Sequence, residues 1–193
     1  MLKDFHSDLA NAKIAEKIVR DTLASLTTDY TFEDVSDDPQ FYYKGDIRAV
    51  GDNKELYIEV KDDSRIADTG NILCEEEVYY KDDDRFAKGN MYCDSDYYCV
   101  VSQQERKIYV LDFKILKTIY RKYSEDFKII KHSEQDTYAY LLPICRAKQF
   151  GALLYKLNYW GGVINVKYFV MYHFITFCGL RWCIYSSAGC RIR

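Results

Sequence analysis

The chain has 193 residues, 48% of them hydrophobic, 16% aromatic and 30% charged, with only 2 Pro. That length suits one domain with a proper apolar core, and the composition excludes a disordered, collagen-like or rod-like chain. Its 27 basic and 30 acidic groups give a net charge of −3, which excludes a nucleic-acid coat protein that works by bulk attraction.

Taken in chain order, residues 4–26 form a helix, because Phe5, Leu9, Ala12, Ala15 or Glu16, Val19, Leu23 and Leu26 recur at three- and four-residue steps. A short strand at Tyr30-Thr31-Phe32 follows, and Pro39 closes the polar turn after it. Strands over 41–50 and 55–62 flank Gly51-Asp52-Asn53, the punctuation of an antiparallel hairpin. The pattern predicts a helix over 71–81 and a charged loop from Lys81 to Gly89. Strands at 97–102 and 107–111 precede a helix over 112–123, for which Asp112 is the N-cap. Short strands over 127–131 and 138–142 and a helix over 146–158 complete the pattern. This order implies an α/β fold with a central mixed β-sheet flanked by helices.

The last part of the chain differs. Residues 1–160 read as the α/β domain, and 161–193 as an apolar, basic extension with no acidic residue. Its longest charge-free run, Tyr168 to Leu180, is 13 residues, short of the ~20 a membrane-spanning helix needs, so no membrane span is expected. Seven Cys without a C-x-x-C pair, and no secretory leader, point to reduced thiols in a cytoplasmic protein. No Gly-rich phosphate loop or nucleophile elbow is present, so no small-molecule cofactor is expected.

The strand Leu56-Tyr57-Ile58-Glu59-Val60-Lys61 carries the chemistry. Side chains alternate across a strand. Leu56, Ile58 and Val60 therefore take one face, and Tyr57, Glu59 and Lys61 the other. In the preceding strand Ile47 and Ala49 are buried while Lys44, Asp46 and Arg48 point oppositely, which brings Asp46 beside the Glu59 and Lys61 row. Two carboxylates on a rigid sheet suit a hard cation such as Mg²⁺, with Mn²⁺ as substitute. Asp46, Glu59 and the Val60 backbone carbonyl are the candidate metal ligands, and Asp46, Glu59 and Lys61 the candidate catalytic set. Such a set can hydrolyse a phosphodiester.

Gly45-Asp46 followed by Glu59-Val60-Lys61, with Glu16 on an upstream helix, resembles the PD-(D/E)XK nuclease superfamily. The resemblance extends over residues 5–158, through 61–71, Glu75-Glu76-Glu77, Asp94-Ser95-Asp96 and the hairpin ending at Asp112. It implies a restriction-endonuclease-like α/β/α core, a phage- or bacterium-encoded member, and Mg²⁺-dependent cleavage of DNA. It also implies Glu16 as an additional metal-orienting ligand. Gly45 stands where the family often has Pro. Lys44, Arg48, Arg65 and Lys88 are candidate phosphate contacts, each also an ordinary surface residue. A cut through both strands would favour a homodimer.

Three other readings stand beside this one. Acid-x-Lys also occurs at Asp52, Asp112 and Asp126, and Asp94 or Asp96 with Asp112 and Lys114 is a competing set. Glu59 and Lys61 would be mere solvated surface if their strand lay at a sheet edge, paired across to Arg48 or Asp46. A non-catalytic protein of the same fold, binding nucleic acid or a protein partner, is the functional alternative.

Overall fold

A computed structural model describes residues 5–80, 85–131, 138–160 and 163–164. Helix α1 (Phe5–Leu26) leads into β1 (Thr31–Asp34), a turn of 3-10 helix at Pro39–Phe41, β2 (Ile47–Val50) and β3 (Glu55–Asp62). A short α2 (Ile66–Thr69), β4 (Asn71–Tyr80) and β5 (Arg85–Lys88) follow, then β6 (Tyr97–Ser102) and β7 (Lys107–Asp112). The chain continues through α3 (Phe113–Tyr123), β8 (Lys128–Lys131), β9 (Tyr138–Pro143), α4 (Ile144–Gln149), β10 (Leu153–Trp160) and β11 (Val163–Ile164).

Among the described residues these strands form a larger sheet, ordered β1-β2-β3-β6-β7-β10-β11, and a smaller one, ordered β5-β4-β9-β8. The larger sheet is mixed: β3 and β6 run parallel, with Glu59 beside Tyr98 and Lys61 beside Val100. Its other pairs are antiparallel. The expected mixed sheet flanked by helices is therefore what the chain forms. The second sheet, on the same side as α3, was not anticipated.

Alternation along the central strands explains the two cores. Ala15, Val19 and Leu23 of α1 pack on Ile47, Ala49, Leu56, Ile58, Cys99, Val101, Ile108 and Val110. The opposite face, Tyr98, Val100, Tyr109 and Leu111, packs on Phe113, Leu116 and Ile119 of α3 and on Ile72, Cys74 and Leu142 of the smaller sheet. β6 is buried along its whole length, as expected of a strand covered on both faces. Asp112 caps α3 as expected, accepting the Ile115 N–H at 2.9 Å. Cys74, Cys93, Cys99 and Cys145 are free thiols.

Four expectations are corrected. Residues 71–80 are strand β4, not helix, paired to β9 from Asn71↔Pro143 onward. One extra residue between Glu75 and Glu77 shifts the register, so the strand's alternation is broken at the bulge. The loop at 81–89 contains β5, which pairs Glu77↔Lys88. The strand expected over 41–50 begins only at Ile47, because 39–45 forms tight turns in which the Lys44 and Gly45 N–H groups both donate to the Phe41 carbonyl. The helix expected over 146–158 stops at Gln149, and β10 then alternates inward at Tyr155 and Leu157 against β7. Apart from Val163–Ile164, the 161–193 extension lies outside the described residues. No helix among the described residues is long and apolar enough to cross a membrane.

Candidate active site

β3 lies between β2 and β6, so its residues are not an edge surface. Register places Ile47 opposite Ile58, and the backbone N–H of Asp46 donates to the Ile58 carbonyl at 2.9 Å. The Asp46 carboxylate turns toward the next residues of β3, where its Oδ2 accepts the Val60 N–H at 2.8 Å. Gly45 makes this turn possible. Its φ is +133°, and a Cβ there would sit 2.8 Å from the Ile58 carbonyl oxygen. A proline, locked near −65°, cannot take that conformation.

Asp46 and Glu59 are half-buried by exposed surface, yet their carboxyls are strongly desolvated. Burial pushes the Asp46 carboxyl well above its ordinary value, and the neighbouring Glu59 charge adds to this. Burial likewise pushes Glu59 up to about 7; the Cys93 thiol and Lys61 oppose that shift, while Glu75 and Glu16 add to it. Burial is thus the leading cause at both carboxyls, and at Asp46 the Glu59 charge adds to it.

Lys61 donates to Glu75 Oε2 at 2.8 Å. Burial works against its charge, but the charge and hydrogen bond of Glu75, followed by the charges of Glu59 and Asp63, outweigh that and hold the ammonium above its ordinary value. It keeps 30% of its side-chain surface exposed, so the group is charged and reachable.

Glu16 is buried on α1, with 7% of its surface exposed. Its Oε2 accepts from the Ser36 hydroxyl at 2.8 Å and lies 3.3 Å from the Lys13 ammonium. Burial raises its pKa against those two partners, and its charge is felt at both Asp46 and Glu59. Among the described residues no three Asp, Glu, Cys or His side chains gather as a metal-holding group. The candidate donors are the Asp46 carboxylate just before β2, and the Glu59 carboxylate and Val60 carbonyl of β3, all hard oxygens. Two desolvated carboxylates that interact with each other fit a divalent cation chemically.

The candidate phosphate contacts are spread out. Lys44 is exposed with its ammonium 4.8 Å from the centre of the Tyr57 ring. Arg48 is ion-paired to Glu55 and, at 3.3 Å, to Glu33. Arg65 is exposed just before α2, its N–H bonded to Asp63. Lys88 is on the smaller sheet, 5.1 Å from the Tyr92 ring. The competing acidic set is structural. Asp96 Oδ2 accepts the Tyr57 N–H at 3.0 Å, and Asp112 caps α3.

Sequence reading gave no role to Asn90, Cys93 and Tyr98, and it took Glu75, which accepts from Lys61, for helix-start chemistry rather than a ligand. The signal for Glu75 was present in Ile72-x-Cys74, an inward alternation ending just where the bulge begins.

No protein-family model and no curated protein matches the chain. Among solved structures, a bacterial homing endonuclease, I-Ssp6803I, is similar at 14% identity with a TM-score of 0.43, over 58% of this chain and 73% of that one.

Proposed function

We propose that the chain is a divalent-cation-dependent nuclease that hydrolyses DNA phosphodiester bonds. The observation that carries this reading is the joint placement of two desolvated carboxylates, Asp46 just before β2 and Glu59 on β3, with the charged Lys61 ammonium on the same strand as Glu59. A purely structural role does not account for burying Asp46 and Glu59 side by side at the cost of both their charges.

Asp46, Glu59 and the Val60 carbonyl would hold Mg²⁺, or Mn²⁺ in its place, with Glu16 orienting the site from α1. When bound, such a cation supplies neutralising charge at a phosphate and makes water more acidic. Lys61 presents N–H groups to a phosphoryl oxygen or to the attacking water, stabilising charge that grows in the transition state. The Val60 N–H fixes one oxygen of Asp46, which leaves the other for the cation. Lys44, exposed next to the Gly45 turn, is the best placed of the candidate phosphate contacts.

The test is incubation of supercoiled plasmid with the protein and Mg²⁺ or Mn²⁺, alongside Glu59→Ala and Lys61→Ala. Cation-dependent nicking or linearisation by the wild type, lost in both variants, supports the reading. Equal activity in all three, or none in the wild type, overturns it. Plasmid binding without cutting would leave the non-catalytic alternative.

A further inference from the structure

Glu75 belongs to β4, in a different sheet from Lys61, yet it takes the Lys61 ammonium at 2.8 Å. Several features of the chain keep it there. β4 carries its extra residue between Glu75 and Glu77, and a bulge bends a strand and re-aims the side chain beside it. Asn90 then grips Glu75 from two sides. Its Oδ1 accepts the Glu75 backbone N–H at 3.0 Å, and its Nδ2 lies 3.4 Å from Glu75 Oε2. The same Nδ2 donates to the Tyr98 hydroxyl at 2.8 Å, and that hydroxyl donates to the Leu73 carbonyl at 3.1 Å.

Gly89 lets this grip close. A Cβ at Gly89 would lie 2.3 Å from the Glu75 carbonyl oxygen, so any other residue would push the Asn90 turn away from β4. The Gly89 N–H donates to the Glu76 carbonyl at 2.8 Å, tying down the bulge itself. Tyr98 is fully buried and stacked on Phe113, ring centres 5.1 Å apart. The chain of contacts thus runs from the hydrophobic core to the ammonium.

A lysine side chain is long and flexible, and holding it in one place costs about 2 kcal/mol of rotamer freedom. An ammonium has three donors, and one spent on Glu75 leaves two for a substrate. We infer that Glu75, braced by Asn90 and Tyr98, is a positioning residue that holds the Lys61 ammonium over the phosphodiester to be cut. This inference rests on the nuclease reading above. Glu75 itself need not touch the substrate, and its effect passes through Lys61.

Two measurements on the full chain test it. The first is a single-turnover cleavage cycle with Mn²⁺, comparing wild type, Glu75→Ala, Glu75→Gln, Lys61→Ala and the Glu75→Ala/Lys61→Ala double variant. Glu75→Ala is expected to lower kcat by about 10- to 100-fold with KM nearly unchanged, the size of effect that misplacing a reacting group produces. Glu75→Gln keeps an acceptor for the ammonium and is expected to recover part of that loss. In the Lys61→Ala background Glu75→Ala should have no further effect, whereas a merely structural role would give independent losses.

The second measurement needs no activity. The ¹⁵N signal of the Lys61 ammonium is expected to be sharp in the wild type and broadened or lost in Glu75→Ala and Asn90→Ala, with melting temperature followed as a check on folding. An equally ordered ammonium in both variants, additive losses in the cycle, or Glu75→Ala cutting as fast as wild type each overturns the inference. If Glu59→Ala and Lys61→Ala also cut normally, the nuclease reading fails instead, and the ammonium signal still decides whether Glu75 holds Lys61.

Discussion

Asp46 and Val60 are joined by a hydrogen bond of 2.8 Å from the backbone N–H of one to the carboxylate of the other. One oxygen of Asp46 is thereby committed to the strand that carries Glu59. The distance between the two acids is set by the sheet rather than by side-chain freedom. Substituting Asp46→Asn should abolish cation-dependent cleavage while leaving the fold intact, since an amide oxygen can still accept from Val60. Circular dichroism beside the plasmid assay checks both halves.

The metal-free protein should lose stability as pH rises through the acidic range. Burial lifts Glu59 from an ordinary 4.5 to about 7, so between those values the folded chain keeps a proton that the unfolded chain has released. More protons bound to the folded state means that stability falls with rising pH. In EDTA, Glu59→Gln should therefore melt higher than wild type at pH 7.5, and the gap should shrink toward pH 4.5. A constant gap across that range would count against the assignment.

Divalent cation should reverse the penalty. At a hundred times its dissociation constant a ligand that binds only the folded state adds about 2.7 kcal/mol. Mg²⁺ or Mn²⁺ should thus raise the wild-type melting temperature by several degrees and leave Asp46→Asn and Glu59→Gln nearly unmoved. Differential scanning fluorimetry with each ion reads this directly.

The competing acids should behave as structural groups. Asp112→Ala removes the cap of α3 and is expected to cost about 1 kcal/mol without abolishing cleavage. Asp96→Ala leaves the Tyr57 N–H without its acceptor, a loss of about 1–3 kcal/mol. Urea melts and the plasmid assay together separate these effects from those of Asp46 and Glu59.

Gly45→Ala should be among the more damaging small substitutions. A side chain at φ +133° is strained, and its Cβ would press on the Ile58 backbone. The strain alone costs about 1–3 kcal/mol. Because the turn aims Asp46, cleavage should fall with stability, which a paired melt and rate measurement would record.

The legible parts of the chain were those governed by local rules. The hairpin of β2 and β3 followed from Gly51-Asp52-Asn53 and from alternation at Leu56, Ile58 and Glu59, so Asp46 and Glu59 were found together. Helix α3 followed from Asp112 and a clean apolar period. β4 was misread because its partner, β9, is remote in sequence and a bulge breaks its alternation. Glu75 was misread with it, as helix-start chemistry, since its contact with Lys61 crosses from one sheet to the other. Asn90 and Gly89 gave no local hint, because their role is a close approach to another strand's backbone.

The parallel pairing of β3 and β6 requires only that the chain re-enter the sheet from the same end after Asp62. Everything from Asp63 to Asp96, including the bulged strand and the Gly89-Asn90 turn, is a detour between two neighbouring strands. Grafting a different detour of similar span would exchange the support of the lysine in a single step. The last residues of the detour are nonetheless stitched to the turn ahead of Asp46, where the Ser95 hydroxyl donates to the Lys44 carbonyl at 2.6 Å, so one inserted stretch braces both Asp46 and Lys61.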